Sequence, residues 1–277
     1  MRGGPGRAVR SQNLAAAPLS RPGSGEPANL RTALQRLIDT HRLGEAARLL
    51  SDTWLAWALR GSAGEGLEWV SRIRADSRSA ALTPADRAHL ELVTGCLRYA
   101  TGDLAGTAAA AAEAVALART ADPAILPDAF LLLGSGQLFT GAGEAAVQTL
   151  GEAASLAAAA DDAWSATHAR IADGQRLLTL GRGGPAATVL AEAEAMARDL
   201  ASPFTLSVAL KRAGHTVAGV RRRRRCSRQV SGGDSTVGRG RDDVDVGVRP
   251  AWPGDDRRPT RSGRPRRAAV RGWVDDQ

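Results

Sequence analysis

The residues able to do chemistry are few and scattered. His41, His89, His168 and His215 stand singly in different segments, with no Cys or carboxylate at metal-ligand spacing, so structural or surface roles are expected of them. Asp161-Asp162 and Glu192-x-Glu194 are the acidic pairs that acid–base catalysis would need. The first falls at an inter-helix turn, where N-capping accounts for it. Ser51, Ser135 and Ser155 sit in no nucleophile elbow, because Gly134-Ser135-Gly136 lacks the flanking strand which that motif requires. A phosphate loop needs a lysine after its glycines, and the sole lysine, Lys211, stands in Ala209-Leu210-Lys211-Arg212-Ala213. The expectation is a chain with no catalytic, cofactor-binding or metal-ligating residues, and not an enzyme.

Two groups of residues suggest binding instead. Trp54, Trp57 and Trp69 fall in one short stretch and admit two readings: an aromatic core where helices cross, or a groove on which a ligand stacks. Arg221, Arg222, Arg223, Arg224 and Arg225 form an unbroken run that could contact nucleic acid through its phosphates. The formal net charge of +8 resides entirely beyond residue 220, where 16 Arg face 8 Asp. Residues 28–220 carry 17 basic against 20 acidic groups, so the part expected to fold has no general attraction for phosphate.

The elements that must position these residues follow from alanine, leucine and glycine. Aromatics make up only 4% of the chain, a balance that favours helices packed through small residues. Leu30, Ala33, Leu34, Leu37 and Ile38 share one helical face, with Asn29 available as N-cap. A second helix is expected from Glu45 to about Leu59, and a third around Leu67, Trp69, Val70 and Ile73. From Pro84 an internal repeat appears. Glycine pairs seven apart recur at nearly constant steps, as Gly95/Gly102, Gly134/Gly141 and Gly174/Gly181. Five positions after each second glycine come Thr107, Ala146 and Ala186; nine after it, Ala111, Leu150 and Leu190; twelve after it, Ala114, Ala153 and Ala193. This pattern predicts a helical hairpin: the first glycine lets two helices approach, the second ends the first helix, and the small and leucine positions form the facing seam of the second. Hairpins that cannot bury their apolar faces alone stack, and the predicted architecture is an all-α helical-hairpin solenoid.

At these residues the sequence resembles the tetratricopeptide family. Phe130-x-x-Leu133-Gly134 followed by Gly141, Ala146, Leu150 and Ala153 is similar to that family's pattern, as are Gly174, Gly181, Ala186, Leu190 and Ala193, and Gly95, Tyr99, Gly102, Asp103 and Ala114. The units here are longer than the family's roughly 34 residues and lack its closing proline. A narrower resemblance covers residues 29–75. Asn29-Leu30-Arg31-x-Ala33-Leu34 and Trp54-x-x-Trp57-x-x-Arg60-Gly61-x-x-x-Glu65-Gly66-x-x-Trp69 look like the start of the helical region in actinobacterial regulators of LuxR and antibiotic-regulatory (SARP) type, which are signal-transduction ATPases (STAND). This implies a sensor or interaction arm lacking the ATPase and DNA-binding domains.

The expected organisation is an unfolded leader at 1–27, an N-terminal helical region with the tryptophan cluster at 28–83, tetratricopeptide-like repeats at 84–215, and an unfolded Arg-rich tail at 216–277. Residues 221–277 contain no Leu, Glu or Lys. A GC-rich gene read in a shifted frame yields such a composition; an ordinary unfolded tail and a nucleic-acid-binding tail are the alternatives. Cys96 and Cys226 have no partner pattern and read as reduced thiols. No window has the roughly 18 uncharged apolar residues of a membrane span, and the start lacks a signal-peptide core, so a cytoplasmic protein is expected. The expected partner is a protein or peptide, or a small-molecule effector; nucleic acid enters only through the tail, and an uncapped stack would self-associate. Nucleic-acid binding by the tail would fall steeply with salt and vanish on truncation at Gly219; filter binding across a salt series checks this, and binding that survives truncation removes the tail as its cause.

Overall fold

The computed structural model describes residues 26–214, and these are all-α, with no strand among them. The helices are α1 (Glu26–Asp39), α2 (Leu43–Leu59), α3 (Ala63–Ala75), α4 (Pro84–Thr101), α5 (Leu104–Ala121), α6 (Leu126–Phe139), α7 (Gly143–Ala159), α8 (Ala163–Thr179) and α9 (Gly183–Asp199), followed by helical residues 203–214, called α10. Short 3₁₀ turns at Ser79–Ala81 and Pro123–Ile125 precede α4 and α6. No helix among the described residues is long and apolar enough to cross a membrane.

Two expectations shift. The first helix opens at Glu26, inside the expected leader, so Asn29 lies within α1 and caps nothing. The second opens at Leu43 instead of Glu45. Elsewhere the starts are chemically marked. Thr83 caps α4: its Oγ1 accepts the Asp86 amide proton at 3.1 Å and donates to Asp86 Oδ2 at 2.7 Å, with Pro84 supplying a preset first helical position. Asp103 accepts from the Gly106 amide at 2.9 Å, and Asp162 accepts from the amides of Trp164 and Ser165, both at 3.1 Å.

The hairpin turns repeat one hydrogen-bond device. The amide of Asp103 donates to Arg98 O at 2.9 Å, that of Ala142 to Gln137 O at 3.1 Å, and that of Arg182 to Leu177 O at 2.8 Å. Each closes the wide loop of a Schellman cap, which requires a left-handed residue just past the helix. Gly102, Gly141 and Gly181 occupy that position with φ of +84°, +86° and +73°. The turn after α7 uses Asp161 at φ +51°, an acidic residue that tolerates this region better than most.

Each of α1 to α9 packs on its neighbours in sequence, and α4, α6 and α8 also touch in succession. The buried seam of α7 is Ala146, Leu150, Ala153 and Ala157; that of α9 is Ala186, Leu190, Ala193 and Ala197, the same positions one repeat later. Alanines bring the axes close while one leucine per helix fills the space between them. That leucine lies on a glycine of the preceding helix. A Cβ built on Gly134 would sit 2.7 Å from Leu150 Cδ2 and Cγ, and one on Gly174 would sit 2.6 Å from the same atoms of Leu190. In the first hairpin the seam residue is Ala111, and the Gly95 notch is filled from the next hairpin by Leu132 Cδ2, 2.6 Å from the equivalent point.

Gly174→Ala therefore forces Leu190 off its seat and lowers stability by ~1–2 kcal/mol, despite the helix propensity it gains. Gly151→Ala, in the interior of α7 with nothing within 4 Å, raises stability by ~0.5–1 kcal/mol. Urea titrations of the two variants check the opposite signs.

Candidate binding surface

The repeat-defining residues belong to packing and turns. Gly95, Gly134 and Gly174 are buried under apolar side chains, and Ala114, Ala146, Leu150, Ala153, Ala186, Leu190 and Ala193 are buried seam residues. Gly102, Gly141 and Gly181 shape the turns. None presents an accessible chemical group.

The tryptophans are also packed. Trp57 is 3% exposed and Trp69 7%; both join Leu34, Leu50, Val70 and Ile73 in the core of α1–α4. Trp54 is half-buried between that core and the next one, formed by α4–α7. A groove paved by all three rings is thus not what the helices build, because each ring is turned into an interface between helices. Arginines lie over the rings of two of them. The Arg31 guanidinium stands 6.0 Å from the Trp57 ring, and that of Arg72 4.3 Å from Trp69.

Around Trp69 lies a shallow open cleft of about 480 Å³, lined by Arg31, Thr32, Gln35, Arg36, Asp39 and Trp69. Arg31 holds Glu65 with both nitrogens of its fork, at 2.5 and 2.7 Å. These hydrogen bonds lower the Glu65 pKa against the opposing effect of burial, helped by the Arg31 charge and a bond from Trp69. Arg72 donates to Gln35 Oε1 at 2.5 Å, tying α3 to α1. The cleft is thus a polar wall of α1 beside the Trp69 ring, along which Gln35 Nε2 donates to Asp39 Oδ1 at 2.6 Å and Arg31 is paired with Glu65.

The histidines serve the helix interfaces. His89 is buried, with Nδ1 3.3 Å from Ser51 Oγ and Nε2 3.0 Å from Asp122 Oδ2. His41 Nδ1 lies 3.1 Å from Asp76 Oδ2, and Asp76 is held below its ordinary pKa chiefly by the Arg78 amide. His168 packs between Trp164, at 4.1 Å between centroids, and Phe204, at 6.1 Å, with Nε2 3.3 Å from Thr205 Oγ1. Removal from water pushes its pKa down to about 4. No group of three or more His, Cys, Asp or Glu side chains gathers to hold a metal among the described residues. Cys96 is buried, and burial pushes its thiol pKa upward. Asp162 is an N-cap, while Glu192 and Glu194 pair with Arg170 and Arg198. His215, Cys226 and Arg221 to Arg225 lie outside the described residues.

Several polar links were not singled out by sequence reasoning. Ser165 Oγ lies 2.8 Å from Asp128 Oδ1 and 2.6 Å from Asp162 Oδ2, and the Tyr99 hydroxyl accepts from Arg212 of α10. The contacts Ser51/His89, Asp128/Ser165 and His168/Thr205 join residues 37 or 38 apart. A search for polar residues about one repeat apart would have found these three; nothing in the sequence links Tyr99 with Arg212. The chain matches no known protein-family model and no curated protein.

The His168 imidazole is neutral in the folded chain, whereas in the unfolded chain it takes a proton near its ordinary pKa of 6.5. Protons therefore favour unfolding, and this contribution is complete above pH 6.5 and lost as pH falls toward 4. By pH 5 wild type should lose about 1–2 kcal/mol more stability, relative to pH 7, than His168→Phe. Urea melts of both proteins at the two pH values check the difference.

Proposed function

We propose that residues 28–215 are a tetratricopeptide-type helical-hairpin solenoid that acts in the cytoplasm as a non-catalytic interaction or sensor scaffold, the helical arm of a transcriptional-regulator-type ATPase. The observation that carries this reading is the position-for-position recurrence of the buried seam of α7 in α9, each with its leucine on a glycine of the preceding helix. A stack in which each unit packs mainly on its neighbours gives an extended surface for a partner instead of one enclosed site.

The partner class follows from the cleft beside Trp69. Arg36 offers its guanidinium beside the Trp69 ring, an arrangement for an extended peptide bearing a carboxylate, while Arg31 and Gln35 are held by Glu65, Asp39 and Arg72 and frame it. The core tryptophans hold α1 and α3 in place, and the recognition chemistry belongs to Arg36 on the cleft wall.

The test is selection from a randomised peptide display library against the full chain. Acidic sequences should be enriched, and Arg36→Glu should weaken the selected peptides at least tenfold while the melting temperature stays unchanged. Enrichment of no common sequence, or peptides that bind Arg36→Glu equally well, would remove the cleft as the site.

A further inference from the structure

His89, Asp128 and His168 occupy one position of the repeat, six residues before Gly95, Gly134 and Gly174. From there each reaches the start of the next helix in the series α4, α6, α8, α10. His89 Nε2 lies 3.0 Å from Asp122 Oδ2, just ahead of α6; Asp128 Oδ1 lies 2.8 Å from Ser165 Oγ in α8; His168 Nε2 lies 3.3 Å from Thr205 Oγ1 in α10. The three joints share a register and differ in chemistry.

A proton therefore has opposite consequences at the first joint and the last. As an imidazolium, His89 has an acceptor for each nitrogen, Asp122 Oδ2 and Ser51 Oγ of α2, and its charge meets a carboxylate. One turn earlier on α4, Asp86 is paired with Arg48 of α2, and two turns later Asp128 of α6 acts on Cys96. His168 meets a hydroxyl instead, and its ring lies between Trp164 and Phe204. The charged groups on the helices around it are engaged elsewhere or carry the wrong sign. Glu192 of α9 pairs with Arg170, Asp128 of α6 and Asp162 bond Ser165 a turn earlier, and α10 brings Lys211 and Arg212 two turns beyond Thr205. A proton on His168 thus adds a buried charge with no carboxylate against it.

We propose that acid releases α10 from α8 while the joint between α4 and α6 holds, so that the series opens at one chosen place. The apolar contacts of α10 fit that role. Ala209 joins Ile171, Ala193 and Ala197 in a cluster with Leu206 and Val208 against it, smaller than the core that α4 to α7 share. Less buried apolar area opposes the departure of α10 than opposes the parting of α4 and α6. Release takes Phe204 off His168 and Ala209 off the seam alanines of α9.

The three phenylalanines of the chain make the two joints separately visible, since Phe130 and Phe139 lie in α6 and Phe204 in α10. Fluorine NMR of the full chain labelled with para-fluorophenylalanine, followed from pH 7 downward, tests the proposal. With a His168 pKa of about 4 in the docked state against the ordinary 6.5 once released, the docking equilibrium shifts roughly twentyfold toward release between pH 7 and pH 5. The Phe204 signal should reach the position of an exposed ring at a higher pH than the signals of Phe130 and Phe139. His168→Gln takes up no proton yet can still reach Thr205, and in that variant the three signals should change together. If His168→Gln shows exposed rings already at pH 7, His168→Leu takes its place with the same expectation. Wild-type signals that all change at one pH overturn the proposal, as does an early Phe204 change that persists without the histidine.

Discussion

The packing of this protein depends on a leucine seated where a glycine has no side chain. In an alanine-rich helix pair the axes can come close, but alanines alone bury little area and leave the rotation of one helix against the other weakly determined. Leu150 on Gly134 and Leu190 on Gly174 determine it, since each leucine enters at one point and at one depth. Everything further out follows from that registration: the flanking alanines meet the preceding helix, and the next hairpin receives a surface like the last. The first hairpin shows what happens when the leucine is absent. With Ala111 at the seam, the Gly95 notch draws Leu132 from the next unit, so the same shape is satisfied by a different chain segment.

Turns and polar contacts refine this frame. Glycines at positive φ stop the helices at Gly102, Gly141 and Gly181 and close Schellman loops, so hairpin length is set by backbone chemistry independently of the core. Hydrogen bonds between helices two apart then tie successive units: His89 to Ser51, Ser165 to Asp128, His168 to Thr205. Such links add little net energy each, yet leaving one of their buried groups unpaired would be expensive, so they select one arrangement of the helices over its neighbours. Burial between Trp164 and Phe204 lowers the His168 pKa, so that protonation works against that arrangement.

The N-terminal region uses a different solution. Large side chains replace alanines, and Trp57 and Trp69 fill the angle between α1, α2 and α3. Arg31 and Arg72 lie over their rings and are themselves fixed by Glu65 and Gln35. A core requirement thereby arranges donors in a row on the surface. Aromatic spacing in the sequence thus marks a core, and the arginines packed on its tryptophans are brought there only by the fold.

The helical class, the glycine-ended hairpins and the repeat period were legible in the sequence, because helix period, capping and left-handed turns are local properties read from residues within a few positions of each other. The separation of a near-neutral repeat region from a basic tail was equally plain, since charge simply adds along the chain. What the tertiary structure decided was which side chain faces which. That the tryptophans turn inward, that Leu132 substitutes for the missing seam leucine and that Arg212 reaches back to Tyr99 all depend on how the helices rotate against one another. Rotation is settled by volume competition among side chains distant in sequence, and no local pattern records its outcome.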